Sequence, residues 1–444
     1  MSRAAVNQKC LISPESPVGV PAFPSRDLPA LSIEMERMLM NQFYRQMGKK
    51  YVTSGVRHRE TAKGTFSGPL DFNEIIYIMS GLFGAATIAQ IGATAGYTHT
   101  YAPKTSRSDN AVTYTAKYGD DTAADQAAYM VFNSLTIDCN QTDSKVSGEV
   151  FAQALDNTVS ALTYNASEVV LTDSVQKLTI TGSPTGGTFT ITFGAQTTSA
   201  LAYNASAAAV KAALEVLSSI GVGNIEVYAP NAATLPSGSY FCWFKGTKKG
   251  AAQATMTTTS SLTGGTSPAV AVTSVTTGGA AVTAITQQPV SLSQVDIFVD
   301  STFAGLATTQ YNALEFGLTI PLKQQEVKVL NTAYPSFIDA VENPLEGATG
   351  HFLLIYDAAC IALLNAMNTK AKATYFLRFK AVGANIGVNA DYKIQWDLAI
   401  QLSDPKERRN IEGTYAMEFA FQIVHDSTMG AAMVPVITNT RSAL

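Results

Sequence analysis

Apolar and polar residues alternate most strictly near the end of the chain. In DYKIQWDLAIQL (391–402), Ile394, Trp396, Leu398, Ile400 and Leu402 fall on one side of an extended strand. Lys393, Gln395, Asp397 and Gln401 fall on the other. In GTYAMEFAFQIVHD (413–426), Tyr415, Met417, Phe419, Phe421 and Ile423 oppose Thr414, Glu418 and Gln422. A period of two over this length predicts strands with one buried and one wetted face. LSIEMER (31–37) repeats the pattern, with Leu31, Ile33 and Met35 against Ser32, Glu34 and Glu36.

Other strands are read from YTHTYAP and AVTYTAKYG, taken as a hairpin-like pair, and from AAYMVFNSLTID and KVSGEVFAQAL, joined by NQTDS. VSLSQVDIFVD, ALEFGLTIPL and FLRFKAVG complete this set. Residues 11–30 carry Pro14, Pro17, Pro21, Pro24 and Pro29, which predicts an extended arm unable to form helix or a central strand. The segment 48–64, with Lys49, Lys50, Arg57, His58 and Arg59, reads as a polar loop.

Helical periodicity appears in three places. DFNE (71–74) reads as a capping box, with Leu70 and Ile75 as its staple and Gly81 or Gly84 as the stop. Asp357 caps DAACIALLNAMNTK, whose apolar positions are Cys360, Ile361, Leu364 and Met367. In YNASAAAVKAALEVL (203–217), Ser206 caps a helix with Val210, Ala213, Leu214 and Leu217 on one stripe and Gly221 or Gly223 at its end.

That last helix sits in an unusual region. Between Asp173 and Asp296 only Lys177, Lys211, Glu215, Glu226, Lys245, Lys248 and Lys249 are charged. Six short strand signals there, KLTITG, GTFTITFG, NIEVYAP, SYFCWFKG, ATMTTTS and AVAVTSV, are separated by glycine turns. Together with the helix they predict a module with its own core. The chain therefore divides into residues 1–165, an inserted β-rich domain over 166–288, and residues 289–444. The fold class is mainly β, a sandwich or barrel with one or two flanking helices plus the insertion.

Composition narrows the function. With 46% hydrophobic and only 14% charged residues, the surface must be rich in neutral polar groups. A formal charge of −4 without a basic run argues against binding nucleic acid by phosphate neutralisation. Cys10, Cys139, Cys242 and Cys360 are widely spaced and read as buried thiols. The uncharged stretch from Ile75 to Pro103 is long enough to span a bilayer, but its glycines and Gln90 favour a core helix running into a strand. No signal peptide is expected, since the N-terminus lacks an apolar segment.

Chemistry-bearing motifs are absent. His58, His99, His351 and His425 are isolated, and no P-loop, GxGxxG or GxSxG occurs. Asp120, Asp121 and Asp125 in YGDDTAAD read as a solvated turn, without calcium-loop spacing. No catalytic, cofactor or metal site is expected.

The order of elements then carries a resemblance. The proline-rich arm, TAKGTFSGPLD, DFNEIIYIMSGLFG and VTYTAKYGDDTAADQAAYMVFNSLTIDCNQTDSKVSGEV resemble major tail tube proteins of long-tailed, siphovirus-like bacteriophages. So does GTYAMEFAFQIVHDSTMGAAMVPVITNT; the likeness covers residues 1–160 and 290–444. The stretch 187–227 looks like an Ig-like module of other phage structural proteins, placed as an outer decoration.

The resemblance implies a virion protein, assembled in the host cytoplasm. Its copies form stacked homohexameric rings around a lumen that holds a tape-measure protein and later conducts DNA during genome ejection. Its partners would be itself, tail terminator and distal tail proteins, with no membrane. The expected lumen lining, neutral to acidic so as not to hold phosphate, is Gln395, Asp397, Gln401, Glu418 and Gln422, with Lys393 an exception. The arm and the basic loop are expected at contacts between copies, with Lys49, Lys50, Arg57, His58 and Arg59 facing acids such as Asp404, Glu407 or Glu412. The alternative is a surface decoration or adhesin protein that binds host glycan or envelope through Tyr240, Phe241, Trp243 and Phe244.

Overall fold

A computed structural model describes residues 8–444 except 17, 20–21, 24, 107, 157–160, 165–169, 230–233, 322, 329–338, 343–346, 370–373, 404, 407 and 412. The architecture is mainly β with three α-helices among the described residues, and none of its sheets closes into a barrel.

The largest sheet grows by antiparallel neighbours that are far apart in sequence. Strand Ser32–Tyr44 pairs with Ser54–Pro69, which pairs with Ser144–Ala152, which pairs with Leu135–Cys139. Leu135–Cys139 then pairs with Ala313–Ile320, and the ladder continues through Thr349–Ile355 to Thr414–Ile423 and the end of Ala390–Leu402. The rest of Ala390–Leu402 lies between Tyr375–Gly387 and Met433–Asn439. Pleating sends alternate residues to opposite faces, so register decides what each face presents. Ile394, Trp396, Leu398 and Ile400 are fully buried on one of them. Phe316 stacks on Phe379 and Phe352 on Phe419 in the same core.

The second wall of this core is built by Lys9–Pro14, Tyr114–Gly119 and Ala124–Phe132. The N-terminal arm is thus not a free extension. Leu11 and Ile12 pair on one side with Ala116 and Lys117, and on the other with Arg26 and Asp27, so Lys9–Pro14 is a central strand. Pro14 ends it, where a missing donor costs least. Glu15 then fixes the arm to the body: its buried carboxylate accepts from Thr113 Oγ1, Thr115 Oγ1 and the backbone N–H groups of Gly19 and Tyr129.

Helix Ile75–Phe83 is buried at every residue, and no described helix is long and apolar enough to cross a membrane. Asp71 Oδ1 accepts from the N–H groups of Asn73 and Glu74, as its sequence position suggests. The other half of the box is missing, because the Glu74 side chain turns away to accept from Ala30 N at 2.9 Å. Gly84, at φ 82°, closes the helix. Gly81 lies inside it, where an added Cβ would meet the Phe132 ring at 2.6 Å. In the Ala358–Thr369 helix Asp357 does cap Cys360 N, but Ile361 faces outward and Leu363 takes its place in the core.

The sequence-based pairing of YTHTYAP with AVTYTAKYG does not occur. Tyr97–Thr100 joins Thr87–Gln90 and Met433–Asn439, while Tyr114–Gly119 joins the arm. The segment 48–64 is not a loop either: from Ser54 it is part of a 16-residue strand, closing a long hairpin with Ser32–Tyr44.

Residues 173–279 form a separate unit. Its strands make two four-stranded sheets, and Leu178, Phe189, Ile191, Val210, Leu214, Tyr240, Cys242 and Phe244 bury one another in a core distinct from the main one. Ser206 Oγ accepts from Ala209 N, and Val210 and Leu214 are the buried side chains of the helix Ala207–Glu215. The chain enters and leaves side by side: Gly279 N donates to Thr172 O, Thr172 N to Ala280 O and Val282 N to Val170 O. All four cysteines of the chain are buried free thiols.

Candidate functional site

The wetted face of the large sheet carries a single row of uncharged polar residues. Directly opposed, strand by strand, stand Ser32, Ser67, Ser147, Thr136, Thr319, Thr349, Gln422 and Gln401. The row crosses eight strands without a carboxylate or an ammonium. The next row on the core side, Gly68, Val146, Ile137, Leu318, Gly350, Phe421 and Leu402, is apolar along its whole length. One face is therefore continuously wet and the other continuously greasy across strands from both ends of the chain.

Some charges that share the wet face are matched, whereas Glu34 and Glu149 flank Thr65 with no cation directly opposite. Lys145 stands directly opposite Asp138 and lies 2.5 Å from Asp143. Glu36 stands opposite Lys63. Near Gln401 and Gln422 the surface dips into a cavity of about 630 Å³ that also takes in Thr319, His351, Ser403 and Glu418. His351 lies across Gly317, where any side chain would collide with the imidazole at 2.3 Å.

The five residues expected to line a lumen divide into three groups. Gln401 and Gln422 are exposed and oppose each other. Gln395 is half-buried and donates to Asp397 Oδ2 at 3.1 Å. Asp397 and Glu418 are buried in ion pairs. Arg378 grips Asp397 with two parallel bonds of 2.6 and 2.8 Å. Glu418 accepts from Lys406 and, at 2.8 Å, from Arg409. Burial raises the Glu418 carboxyl pKa, but the Lys406 hydrogen bond and the two cations outweigh it and hold it below the usual range. Lys393 is half-buried, and desolvation together with Lys380 and Arg378 lowers its pKa. The two carboxylates are thus held by cations, Asp397 by Arg378 and Glu418 by Lys406 and Arg409.

Sequence alternation located Gln401 and Gln422 and set Ser32 on a polar side, but missed the other five hydroxyl residues. Each of those lies on a strand whose neighbour is set by long-range pairing, and only the register puts them in line.

The basic segment occupies the end of the long hairpin. Residues 41–56 are exposed without interruption, Lys49 and Lys50 among them, and Lys50 Nζ lies 5.6 Å from the centre of the Tyr51 ring. Arg57, His58 and Arg59 are in the returning strand, and their side chains are outside the described residues. Asp404, Glu407 and Glu412, the acids expected to face this segment, are also outside them. The hairpin end is rich in exposed apolar groups: Phe43 is 66% exposed, Met47 102% and Tyr51 74%. That is an unusual density for a surface left to water.

The aromatic residues offered for glycan binding are buried. Tyr240 and Phe244 belong to the core of the inserted unit. Phe241 and Trp243 point the other way, into a junction with Phe23 of the arm and Tyr228. Asp120 Oδ1 accepts from the N–H groups of Thr122 and Ala123, folding its loop into a turn. Compared with protein-family models and with curated proteins, the chain finds no match.

Proposed function

We propose that this chain is the structural subunit of a phage tail tube. Copies join into hexameric rings, the rings stack, and the wet face of the large sheet walls a lumen along which DNA moves. The observation that carries the reading is the eight-residue neutral row from Ser32 to Gln401. A polyanion passing such a wall meets hydroxyl and amide groups, while Arg378, Lys406 and Arg409 are already held by Asp397 and Glu418. Each unpaired cation would add phosphate binding and retard transit. The sheet is also open: strand Ser32–Tyr44 pairs only with Ser54–Pro69 among the described residues, and an uncovered edge favours association with further copies.

The inserted unit has its own core and a two-strand neck, which suits an outward decoration. The rival adhesin reading loses its contact residues, since Tyr240, Phe241, Trp243 and Phe244 are 8% exposed or less. Negative-stain microscopy of the purified protein tests the proposal. Rings or tubes with six-fold end views are expected; isolated single copies at every concentration and salt would overturn it.

A further inference from the structure

One lysine is enclosed with two carboxylates and largely shut off from water. The Lys323 side chain is 0% exposed, and its Nζ lies 2.6 Å from Asp109 Oδ2 and 3.4 Å from Glu342 Oε1. The Asp109 side chain is 3% exposed and that of Glu342 14%. The Leu82 carbonyl, which accepts from Nζ, and the Phe83 ring, centred 4.3 Å from it, complete the shell.

Backbone bonds hold each member of the trio in place. Lys323 N donates to Asn133 O at 2.8 Å and Gln324 N to Asn133 Oδ1 at 2.7 Å. Strand Gln324–Val327 pairs with Asp339–Glu342, which sets Glu342 opposite Gln324. Glu342 Oε2 accepts from Asp109 N, so this carboxylate stands beside both other residues. Asp109 Oδ1, the oxygen away from the lysine, accepts from Lys104 N at 2.9 Å. With Oδ2 at 2.6 Å, the carboxyl carbon of Asp109 lies about 3–3.5 Å from Nζ, the spacing of a near-attack pair.

We propose that Lys323 and Asp109 join in an amide bond that the folded chain forms by itself, with Glu342 carrying the protons. Before the reaction the two residues are a buried ion pair. One proton passes from the ammonium to Oδ2, which leaves an amine and a carboxylic acid. Nζ then attacks the carboxyl carbon, and the charge that develops on Oδ1 meets the Lys104 N–H. Glu342 takes one proton from Nζ and delivers it to the Oδ2 hydroxyl, which departs as water. A C–N bond replaces a C–O bond, one water is released, and no oxidant or further reactant enters. Burial favours the change, because an ion pair deprived of water bears a desolvation cost that a neutral amide escapes. The two residues are 214 apart in sequence, so the bond closes a covalent loop that contains the whole inserted unit.

Mass spectrometry of the purified full chain, denatured after folding, reads the bond directly. The unaltered protein is expected to weigh one water less than its sequence. Trypsin should leave Lys323 uncut and release residues 108–117 joined to the peptide that contains it. Lys323→Arg and Asp109→Ala should each restore the full mass. Glu342→Gln keeps both partners and should slow bond formation about a hundredfold or more, so that folded, unlinked chain accumulates. A folded, unaltered protein of full sequence mass, cleaved normally after Lys323, overturns the proposal. A Glu342→Gln chain that links as fast as the unaltered one overturns the role given to Glu342. Neither readout requires copies to assemble, so the outcome is separate from that of the tube reading.

Discussion

Phe23 of the N-terminal arm meets Trp243 of the inserted unit edge-on, with ring centroids 5.6 Å apart. Around that pair, Trp243 Nε1 donates to Asp173 Oδ2 at 3.1 Å, and Lys117 Nζ lies 5.2 Å from the indole and 3.7 Å from Asp173. A strand on the body, the arm and the neck of the unit are thereby fixed at one point. Phe23→Ala is expected to remove about 1 kcal/mol from this junction beyond the lost area, and Trp243→Ala about 3–5 kcal/mol. Because the two cores are separate, differential scanning calorimetry should resolve two transitions in Trp243→Ala, with the melting of the main core least affected.

Glu74 makes stability depend on pH. Its carboxyl is 2% exposed and its Oε2 has no hydrogen-bond partner. Burial, with the nearby Asp71 adding to it, raises its pKa to about 8 despite the bond from Ala30 N. The folded pKa lies above the unfolded one, so the contribution is complete below about pH 4.5. It is lost as pH rises from there through about 8. Urea melts over that range should show falling stability, and Glu74→Gln should flatten the slope while keeping the acceptor for Ala30. An unchanged slope in the variant would refute the assignment. Burial raises the pKa of Glu15 and Asp71 as well, which adds slope of the same sign at the acid end.

Lys323 is fully buried, with Nζ bonded to Leu82 O and 2.6 Å from Asp109 Oδ2, 3.4 Å from Glu342 and 4.3 Å from the centre of the Phe83 ring. It ties the end of the buried helix to two surface segments. Lys323→Met leaves Asp109 as a buried charge without its cation, which should cost about 3–5 kcal/mol. Adding Asp109→Asn should return part of that loss. Chemical denaturation of the single and double variants measures the coupling.

The neutral row makes a separate prediction about the proposed lumen. Gln401→Lys with Gln422→Lys places two exposed cations opposite each other on that face. Assembled particles of the variant should retain DNA in a mobility assay where unaltered particles do not. Their binding should weaken steeply with salt, by roughly 0.9 in log–log slope for each phosphate neutralised. Equal retention by both would place the row away from the DNA path.

Much of the strand inventory was legible because it depends on neighbours in sequence. Ile394, Trp396, Leu398 and Ile400 alternate with polar residues and are all buried. Tyr415, read as part of the same kind of stripe, is 61% exposed: it lies at the strand end, where its backbone still bonds Tyr356 and pairs with Asn410 but its side chain is outside the core. The hairpin was read as a loop because GKKYVTSGVRHRETAKG has no alternation. Its extended form is imposed by the partner strand Ser32–Tyr44. The arm was excluded from the sheet interior on its prolines, yet the residues just before Pro14 form the central strand. The polar row was invisible for a third reason. Ser147, Thr136, Thr319 and Thr349 are unremarkable singly, and only cross-strand registers spanning hundreds of residues align them.

The hydrogen bonds between Thr172 and Gly279 and between Thr172 and Ala280 join the points where the chain departs from and returns to its main body. Excising everything between them would leave two ends already close enough to be spliced by a short turn. That site is therefore a natural graft point. A foreign domain whose own termini are adjacent could be exchanged for the native one, and in the proposed tube it would display many copies of a chosen cargo.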